Sequence, residues 1–516
     1  MFADLATMRR LARKTPPAAP VVTLDQVRAL LRKGDAKSAV AKSADLLKAS
    51  PKDIEVLWLR AAALAATGDS FESARLRTRA GELQAEQIMI AAGVDMPRLR
   101  SDSAYAIAVG RNFYNRWNMG AASLAMTYGA NDPARRLEAQ FVLAQAQHYM
   151  GRVADSETTF RAMMAAKPEE ALHGYLLYAL FFRNDGGRAH AEEVREWSKR
   201  WVDTLPPKPP VFHVERRSDR PLRIGYLTPT YSNQLRHFLM PVLERHDQSR
   251  FEITMYVDVA EKELQVPGIK VKSIRDQVHR ATADMIRADK IDILVDLHGH
   301  FRLGRPTTVA QKPAPVQVSW MDYTHSVGLE AMDYVLHGDH MDVPGTQELF
   351  VEQIWNIGPV LVPFRPTLGA RISPAPCAET GHITFGSFNH PAKLGDPTVA
   401  AWARILKARP QARLVLKYSV FDDPILQAET RARFAAHGAD PDQLLFRGHS
   451  TGDAYERAFD EIDVALDPSP VTGGTTTMEA LSRSIPVLSL KGDDFYARVG
   501  MHTLMAIDMP ELLAET

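Results

Sequence analysis

The stretch Gly473-Gly474-Thr475-Thr476-Thr477-Met478-Glu479 decides how the C-terminal part of this chain is built. It follows Asp463-Val464-Ala465-Leu466-Asp467, an apolar run that predicts a buried strand ending at an acidic residue. The two glycines allow a sharp turn, and a helix-favouring run begins at the threonines. A helix N-terminus offers free N–H groups and the positive end of the helix dipole, which suits a phosphate. Taken alone, the stretch fits an ordinary helix start equally well.

A second segment upstream has the same character. Gly386-Ser387-Phe388-Asn389-His390-Pro391-Ala392-Lys393 follows another strand-like run, residues 382–385. A lysine beside a diphosphate neutralises the charge that develops on a departing nucleotide. Lys393 in isolation would be interpreted as a solvated surface lysine, but its position six residues after a Gly-Ser turn favours the phosphate role. The two segments together predict a diphosphate held between Lys393 and the amides of residues 475–477.

Composition sets the class of protein. The 516 residues include 62 basic and 62 acidic side chains, so no net charge favours nucleic acid or an anionic membrane. The single cysteine, Cys377, excludes an intramolecular disulfide and a thiolate metal cluster and is typical of a reducing compartment. Residues 1–20 lack the apolar segment of a signal peptide, and no apolar run has spanning length. We therefore expect a soluble cytoplasmic protein with a flexible N-terminus over 1–20.

The first third of the chain is helical in pattern. Gly34-Asp35 recurs as Gly68-Asp69 at an offset of 34 residues, each pair in a break between two helical stretches. This punctuation is similar to that of the tetratricopeptide repeat, a helix–turn–helix unit of that length. A non-repeating helical bundle is the alternative. Both interpretations place an all-α domain at 21–205, with protein binding or assembly as its task.

The run Pro206-Pro207-Lys208-Pro209-Pro210 predicts a boundary, because it cannot continue a helix. Strand-like and helical stretches alternate beyond it, which predicts two doubly wound α/β lobes, at 218–365 and 378–516, with a cleft between them. Ligands of such sheets lie at the carboxyl ends of strands, where both glycine-containing segments are found. Residues 511–516 predict the start of another helix, which leaves open a truncated C-terminal lobe.

The N-terminal lobe contributes histidines from loops that follow strands. His237, His298 and His300 hold such positions, where a neutral imidazole can orient an acceptor hydroxyl or accept its proton. A structural histidine is an equally good interpretation of each. Asp440-Pro441-Asp442 has the form of a metal-binding DxD tripeptide, but its central proline favours a turn. The sequence predicts no metal site, and it contains neither a P-loop nor a strand-borne dinucleotide motif.

From about residue 222 to its end, the chain resembles the catalytic region of the O-GlcNAc transferase and SPINDLY-type glycosyltransferases in their bacterial form. The motifs that carry the resemblance occur in the family's order over nearly 300 residues. They are Leu222-Arg223-Ile224-Gly225-Tyr226, Asp292 through His300, Lys312 through Trp320, Ala331-Met332-Asp333-Tyr334, Gly386-Ser387-Phe388-Asn389 with Lys393, and Asp463 through Leu481. Helical repeats ahead of the catalytic half are also the family's arrangement.

The resemblance implies a GT-B fold, in which two Rossmann-like lobes hold the nucleotide on the C-terminal one. It also implies inverting, metal-independent transfer of a sugar from a nucleotide sugar, expected to be UDP-linked, to Ser or Thr of a protein. By position, the resemblance implies that Lys393 contacts the diphosphate, and Asn389 and His390 lie in the same loop. Thr475 and Thr476 would hold the phosphates through their backbone. The residues around these two threonines are Gly473, Gly474 and Thr477. Glu479 falls near the ribose, and Ser450, with Gly448 and His449, in the loop that reads the base.

Some positions depart from the family pattern, and these departures leave alternatives open. Gln234 stands where the family has an active-site histidine, so Gln234, His237 and His300 are the candidate catalytic residues of the N-terminal lobe beside Lys393. The donor sugar is accordingly GlcNAc-like or another sugar, and the acceptor a protein docked through the helical repeats, such as a bacterial surface or flagellar protein. A non-catalytic helical-repeat adaptor is the main alternative, and a transferase acting on a lipid or polysaccharide is a weaker one.

Overall fold

The computed structural model describes residues 22–183, 185, 187–202, 220–228, 233–258, 266–301, 303–366 and 370–516. The expected flexible segment 1–20 and the proline-rich boundary at 206–210 lie outside these residues. The described chain consists of a helical region followed by two α/β lobes.

The helices are α1 Leu24–Lys33, α2 Ala36–Ala49, α3 Ile54–Ala66, α4 Ser70–Ala91, α5 Met96–Ser101, α6 Ser103–Asn115, α7 Met119–Gly129, α8 Arg136–Tyr149, α9 Val153–Ala166, α10 Glu170–Leu180, α11 Arg188–Trp201, α12 Asn233–Leu243, α13 His279–Ala288, α14 Pro306–Ala310, α15 Cys377–Thr380, α16 Asp396–Ala408, α17 Pro424–Ala436, α18 Asp453–Ala458, α19 Thr475–Leu481 and α20 Val499–Ala506. The strands are β1 Leu222–Thr228, β2 Phe251–Val257, β3 Lys270–Ser273, β4 Ile293–Asp296, β5 Val316–Ser319, β6 Tyr334–His337, β7 Gln353–Asn356, β8 Thr384–Ser387, β9 Arg413–Lys417, β10 Leu444–Arg447, β11 Val464–Leu466, β12 Val487–Leu490 and β13 Leu513–Ala514.

The recurring Gly-Asp pair has a clear structural role in the helical region. Gly34 and Gly68 adopt left-handed backbone conformations, with φ of 82° and 88°, and so end a helix where other residues would be strained. The aspartate that follows each glycine caps the next helix, since Asp35 accepts from Ser38 N–H and Asp69 from Glu72 N–H. Two residues thus stop one helix and start its neighbour, which produces the helical hairpins.

Both α/β lobes are parallel sheets with the same winding. The N-terminal sheet has the order β3-β2-β1-β4-β5-β6-β7, and the C-terminal sheet has the order β10-β9-β8-β11-β12-β13. In each, the chain starts at a central strand, winds outward, and returns to the other side of that strand. The carboxyl ends of β1 and β4, and those of β8 and β11, therefore lie at topological switch points, where such sheets bind ligands. The structure confirms the expected GT-B architecture preceded by an all-α domain.

The helical region packs against both lobes. One hydrophobic core joins Leu57 and Met89 of the repeat helices to Leu414 and Phe434 of the C-terminal lobe. A second core joins the last two helices of the region to the N-terminal lobe, with Trp197 as its largest helical side chain. The helices thus bridge the two lobes.

Helix α20 of the C-terminal lobe also contacts the N-terminal lobe. His502 Nε2 accepts from Leu361 N–H (3.1 Å), while its Nδ1 donates to Asp339 O (2.8 Å). At the other side of the same helix, Gly500 N–H donates to Thr472 Oγ1 (3.1 Å). This helix connects the N-terminal lobe to the loop after β11.

The sequence prediction for the chain end was wrong. Residues 511–516 do not begin an α-helix: Pro510–Leu512 form a 3₁₀ turn and Leu513–Ala514 form strand β13, which pairs with β12. The open edge of β12 provides backbone partners that a helical pattern in six residues cannot reveal. The tripeptide at 440–442 is a turn as predicted, with Asp440 capping the 3₁₀ segment Pro441–Gln443.

Candidate active site

The two glycine-containing segments converge because their strands are neighbours. β8 and β11 pair in parallel, with Gly386 beside Ala465, so the chain leaves both strands at the same edge of the sheet. We call residues 388–393 after β8 the lysine loop and residues 467–477 after β11 the threonine loop. Gly386 has to be glycine, since a Cβ there would lie 2.5 Å from Ile462.

The lysine loop is a short, internally braced turn. The imidazole of His390 accepts from Ala392 N–H at Nδ1 (3.0 Å), which fixes the start of the 3₁₀ turn Pro391–Lys393. Asn389 links the two loops: its Nδ2 donates to Ser387 Oγ (3.2 Å), and its Oδ1 accepts from Thr476 Oγ1 (3.3 Å). The predicted residues Asn389, His390 and Thr476 are thus brought together.

Lys393 extends from the lysine loop to the threonine loop. Its Nζ donates to Thr472 O over 2.7 Å. Burial lowers the pKa of the Lys393 ammonium to about 8, and the carboxylate of Asp467 opposes that shift. A cation held in a low-dielectric site beside a single carbonyl has unused hydrogen-bonding capacity, because an ammonium carries three donors. An anionic ligand here would be attracted strongly.

Asp467 organises the threonine loop. Its Oδ1 accepts from Gly473 N–H and from Thr477 Oγ1, and its Oδ2 accepts from Ser489 Oγ (2.8 Å). Burial raises the pKa of the Asp467 carboxyl to about 6, against the lowering effect of these donors and of Lys393. The carboxylate is therefore ionised at neutral pH, where it holds the turn that presents the threonines.

The two glycines of the threonine loop have different roles. A Cβ on Gly473 would lie 2.4 Å from Thr477 Oγ1 and 2.9 Å from Asp467 Oδ1, so no other residue fits. A Cβ on Gly474 would have nothing within 4 Å, because that position faces open space at the start of α19. The backbone of α19 begins with a hydrogen bond from Met478 N–H to Gly474 O. The N–H groups of residues 475–477 therefore stand at the N-terminus of this helix, ahead of its first internal hydrogen bond.

Residues that the sequence placed near ribose and base lie further along the same edge. The Glu479 carboxylate accepts from Tyr455 OH (2.8 Å). Burial raises the pKa of Glu479, while Tyr455, Arg483 and His237 act to lower it. Ser450 Oγ accepts from Lys417 Nζ (2.6 Å), which also donates to Gly448 O (3.0 Å). The ring of His449 stacks on Trp117 of the repeat helices at 6.3 Å between centroids.

The predicted catalytic residues of the N-terminal lobe are distributed differently. His237 lies on α12, half exposed, and its Nδ1 donates to Arg365 O (2.7 Å). His237 also acts to lower the pKa of Glu479, a residue of the C-terminal lobe. Gln234 belongs to the same helix, but its side chain lies outside the described part of the chain.

His300 is buried under the repeat helices. Its Nε2 donates to Val327 O (2.8 Å), and its ring meets Trp197 edge to face at 4.5 Å. Burial lowers the pKa of His300 to about 4, so the imidazole is neutral at physiological pH. It lines a cavity of about 420 Å³ together with Tyr175 and Phe301. Its described contacts are to the helical region and its own lobe, and none of them is to the lysine loop.

The sequence interpretation gave no role in the site to three residues that shape it: Asp467, which it named only as the end of a strand, Lys417 and Tyr455. Asp467 and Lys417 both end buried strands, and a charged residue at the carboxyl end of a buried strand is the signal that would have indicated them. Tyr455 had no such signal, because its partner Glu479 lies 24 positions away.

Among the described residues, no three His, Cys, Asp or Glu side chains are grouped as metal ligands would be. In that same part of the chain, the longest apolar helices are too short or too polar to span a bilayer.

A family model, described as glycosyl transferase family 41, matches residues 177–354 and 378–516. These segments make up more than half of the chain and contain both loops. The chain belongs to glycosyl transferase family 41. The matched residues include the last helices of the repeat region, which pack on the N-terminal lobe.

Curated relatives of this family 41 chain include plant SPINDLY proteins, which are named as probable UDP-N-acetylglucosamine–peptide N-acetylglucosaminyltransferases. The Oryza sativa subsp. japonica protein is 32% identical over 335 residues, which is 62% of this chain and 36% of the relative. The Arabidopsis thaliana protein is 30% identical over 341 residues, 63% of this chain and 37% of the relative. The chain therefore spans little more than a third of the length of these relatives.

Among solved structures, a mutant of the Thermobaculum terrenum O-GlcNAc transferase is similar over the whole chain. The match covers 100% of this chain and 88% of that one, with a TM-score of 0.71 and 25% sequence identity. The likeness includes the helical region as well as both lobes, so the arrangement of the three parts is shared.

Proposed function

We propose that this family 41 protein is an inverting, metal-independent glycosyltransferase that moves a sugar from a UDP-linked donor to Ser or Thr of a protein. The donor that its relatives' names favour is UDP-GlcNAc. The observation that carries the proposal is the 2.7 Å contact between Lys393 Nζ and Thr472 O, which joins a buried cation to the amide-bearing threonine loop.

In this proposal the C-terminal lobe stabilises the leaving group. Lys393 exchanges its bond to a carbonyl for a bond to a diphosphate oxygen, and the amides of the threonine loop hold the other phosphate oxygens. The attacking hydroxyl approaches the anomeric carbon from the face opposite the departing UDP. A single displacement of this kind inverts the configuration at that carbon.

The N-terminal lobe is proposed to handle the acceptor. His237 is the proposed base, because it is half exposed and acts on the pKa of Glu479 in the C-terminal lobe. Because the Nδ1–H of His237 donates a hydrogen bond to Arg365 O, the unprotonated Nε2 of the neutral ring is available to accept a proton from the acceptor hydroxyl. His300 is neutral and buried, so its proposed contribution is to hold the loop after β4. Gln234 remains a candidate by position on α12.

The acceptor is proposed to be a protein that docks along the repeat helices, and a bacterial surface or flagellar protein is the first case to test. The single cysteine, Cys377, supports a reducing cytoplasmic location, where such a protein would be modified before export.

Direct transfer tests the proposal. The purified chain is mixed with labelled UDP-GlcNAc, other labelled nucleotide sugars and a host lysate, and label on protein is measured. Label released by β-elimination, together with calorimetric binding of UDP, is the expected result. No transfer from any donor combined with no UDP binding would overturn the proposal and favour the repeat-adaptor alternative.

A further inference from the structure

The turn between helices α8 and α9 of the repeat region touches the lysine loop directly. Gly151 in this turn has a φ of 76°, and a Cβ there would lie 2.8 Å from Pro391 O and 3.2 Å from Pro391 C. Pro391 is two residues before Lys393. The repeat region therefore approaches the backbone of the loop so closely that no side chain fits between them.

Aromatic side chains from the repeat region surround His390, the residue that braces the lysine loop. The ring of His390 lies 5.1 Å from His148, 5.3 Å from Tyr149 and 5.7 Å from Phe182, measured between centroids. Within the C-terminal lobe, its ring meets only Tyr418 among the described aromatic contacts, at 4.8 Å. Three of the four ring neighbours of His390 thus come from a different domain.

The tautomer of His390 follows from its bond to the backbone. Because Nδ1 accepts from Ala392 N–H, the ring proton lies on Nε2. That Nε2–H is buried, and no described group lies within hydrogen-bonding distance of it. Both ring nitrogens of the neighbouring His148 are in the same situation. An unpaired buried polar group costs stability. The Nε2 side of the His390 ring is therefore held by packing against the surrounding rings and not by a hydrogen bond to a described group.

A buried ion pair fixes the turn to the C-terminal lobe. Arg152, next to Gly151, donates to Glu429 on α17 from Nη2 (2.7 Å) and from Nε (3.2 Å). Both side chains are largely buried, and the two donors of the arginine converge on one carboxylate oxygen, Oε2 of Glu429. The turn is thereby held at a defined position against the lysine loop.

We propose that the α8–α9 turn of the repeat region is a structural part of the donor site, with Gly151 and His148 as positioning residues for the lysine loop. They act through His390 and Pro391, which set the position of Lys393. The inference rests on the proposed function and deepens it: donor affinity depends on the repeat helices, which would otherwise concern the acceptor alone. A displacement of about an ångström in a catalytic group is enough to lower activity substantially.

A matched pair of glycine substitutions tests the contact. Gly68 and Gly151 both end a repeat helix in a left-handed conformation, with φ of 88° and 76°, but a Cβ on Gly68 meets nothing within 4 Å. Gly68→Ala therefore introduces the same backbone strain without the contact to Pro391. Binding of UDP to the full chain is measured by calorimetry, and the KM values for the UDP-linked donor and for the acceptor are measured separately.

Gly151→Ala is expected to raise the Kd for UDP about tenfold, and to raise the donor KM in parallel, with the acceptor KM unchanged. Gly68→Ala is expected to bind UDP as the unmodified protein does. Equal UDP affinity in the two variants would overturn the inference. If the unmodified protein itself neither binds UDP nor transfers sugar, the proposed function fails, and that result is distinct from equal affinities in two variants of a protein that does bind.

A second pair covers the case in which Gly151→Ala does not fold. His148→Ala removes a ring beside His390, whereas His173→Ala removes an equally buried repeat histidine that bonds to Glu193 and Trp201. Only His148→Ala is expected to weaken UDP binding, by about threefold to tenfold. His148→Phe keeps a ring at the position and is expected to restore affinity. Equal losses in the His148→Ala and His173→Ala variants, or a loss with Phe as large as with Ala, would contradict the contact.

Discussion

The two α/β lobes differ in how their buried ionisable residues carry charge. On the C-terminal lobe, Lys393 and Asp467 are ionised and lie at the ends of adjacent loops, where hydrogen bonds to backbone and hydroxyl groups define their positions. On the N-terminal lobe, His300 is neutral at physiological pH and buried against Trp197. The C-terminal loops thus hold a buried cation, whereas His300 of the N-terminal lobe is a neutral imidazole packed under the repeat helices.

This difference follows from where each lobe gets its neighbours. The lysine and threonine loops extend from neighbouring strands β8 and β11 of one sheet, and the repeat region touches the lysine loop at Pro391 and His390. His300 is covered by helix α11 of the repeat region, from a part of the chain about a hundred residues away. The comparison teaches that the proposed donor loops are built on one sheet and braced by the α8–α9 turn, while His300 of the N-terminal lobe depends on the repeat region for its burial. The predictions below test this division.

Replacing the cation should have the largest effect. Lys393→Met keeps most of the side-chain volume but removes the charge that faces the leaving group, and we expect the transfer rate to fall by about a hundredfold to a thousandfold. The rate is measured with labelled UDP-GlcNAc. Lys491→Met, which removes an exposed lysine bonded only to Glu515 among the described side chains, is the control. If Lys393→Met transferred sugar as fast as the control, the proposal that Lys393 stabilises the leaving diphosphate would be wrong.

Alanine substitutions at Gly473 and Gly474 should test the shape of the threonine loop without changing its charge. In Gly473→Ala the new Cβ would collide with Thr477 Oγ1 and Asp467 Oδ1, and we expect UDP affinity to fall by at least about tenfold as the loop shifts, at a cost of about 1–3 kcal/mol. Gly474→Ala adds a methyl group in open space and is expected to fold and melt as the unmodified protein does. Calorimetry and thermal melting are the measurements. Equal effects at the two positions would contradict the loop geometry.

The pH dependence of UDP binding should report on Lys393. Burial lowers the pKa of its ammonium to about 8, so the protonated form that pairs with phosphate is lost as the pH rises through that value. Between pH 7 and pH 9 we expect affinity to fall by about tenfold. Lys393→Met should bind UDP weakly and with no such decline. A flat profile in the unmodified protein would show that another group supplies the charge.

Replacing the buried His300 should affect stability more than transfer. His300→Ala removes the buried bond to Val327 O and leaves space beside Trp197, and we expect a loss of about 1–3 kcal/mol of unfolding free energy. His237→Ala, at a half-exposed position, should melt close to the unmodified protein. Denaturant unfolding and the transfer rate are measured on the same samples. If His300→Ala abolished transfer with stability unchanged, the division between the two lobes would be wrong.

The turn chemistry of the donor side could be predicted from the sequence because it is local. A buried strand, a glycine pair and a threonine-led helix lie within fifteen consecutive residues, 463–477, and each has a known backbone preference. The Gly-Asp punctuation of the repeats is local in the same sense, and Gly34 and Gly68 do end their helices in left-handed conformations. The motif order along the chain was sufficient to indicate the family.

The tertiary structure alone decided what the repeat helices touch. Apolar burial has no direction, so the pattern of Leu57, Met89 or Trp197 predicts an inward-facing side without specifying its partner. Only the folded chain shows that α8 and α9 pack beside the lysine loop and that α11 covers His300. The sequence determined the local turns and the winding of the sheets, because backbone conformation depends on neighbouring residues. The contacts between domains depend on the shape of whole surfaces, which no short stretch of sequence contains.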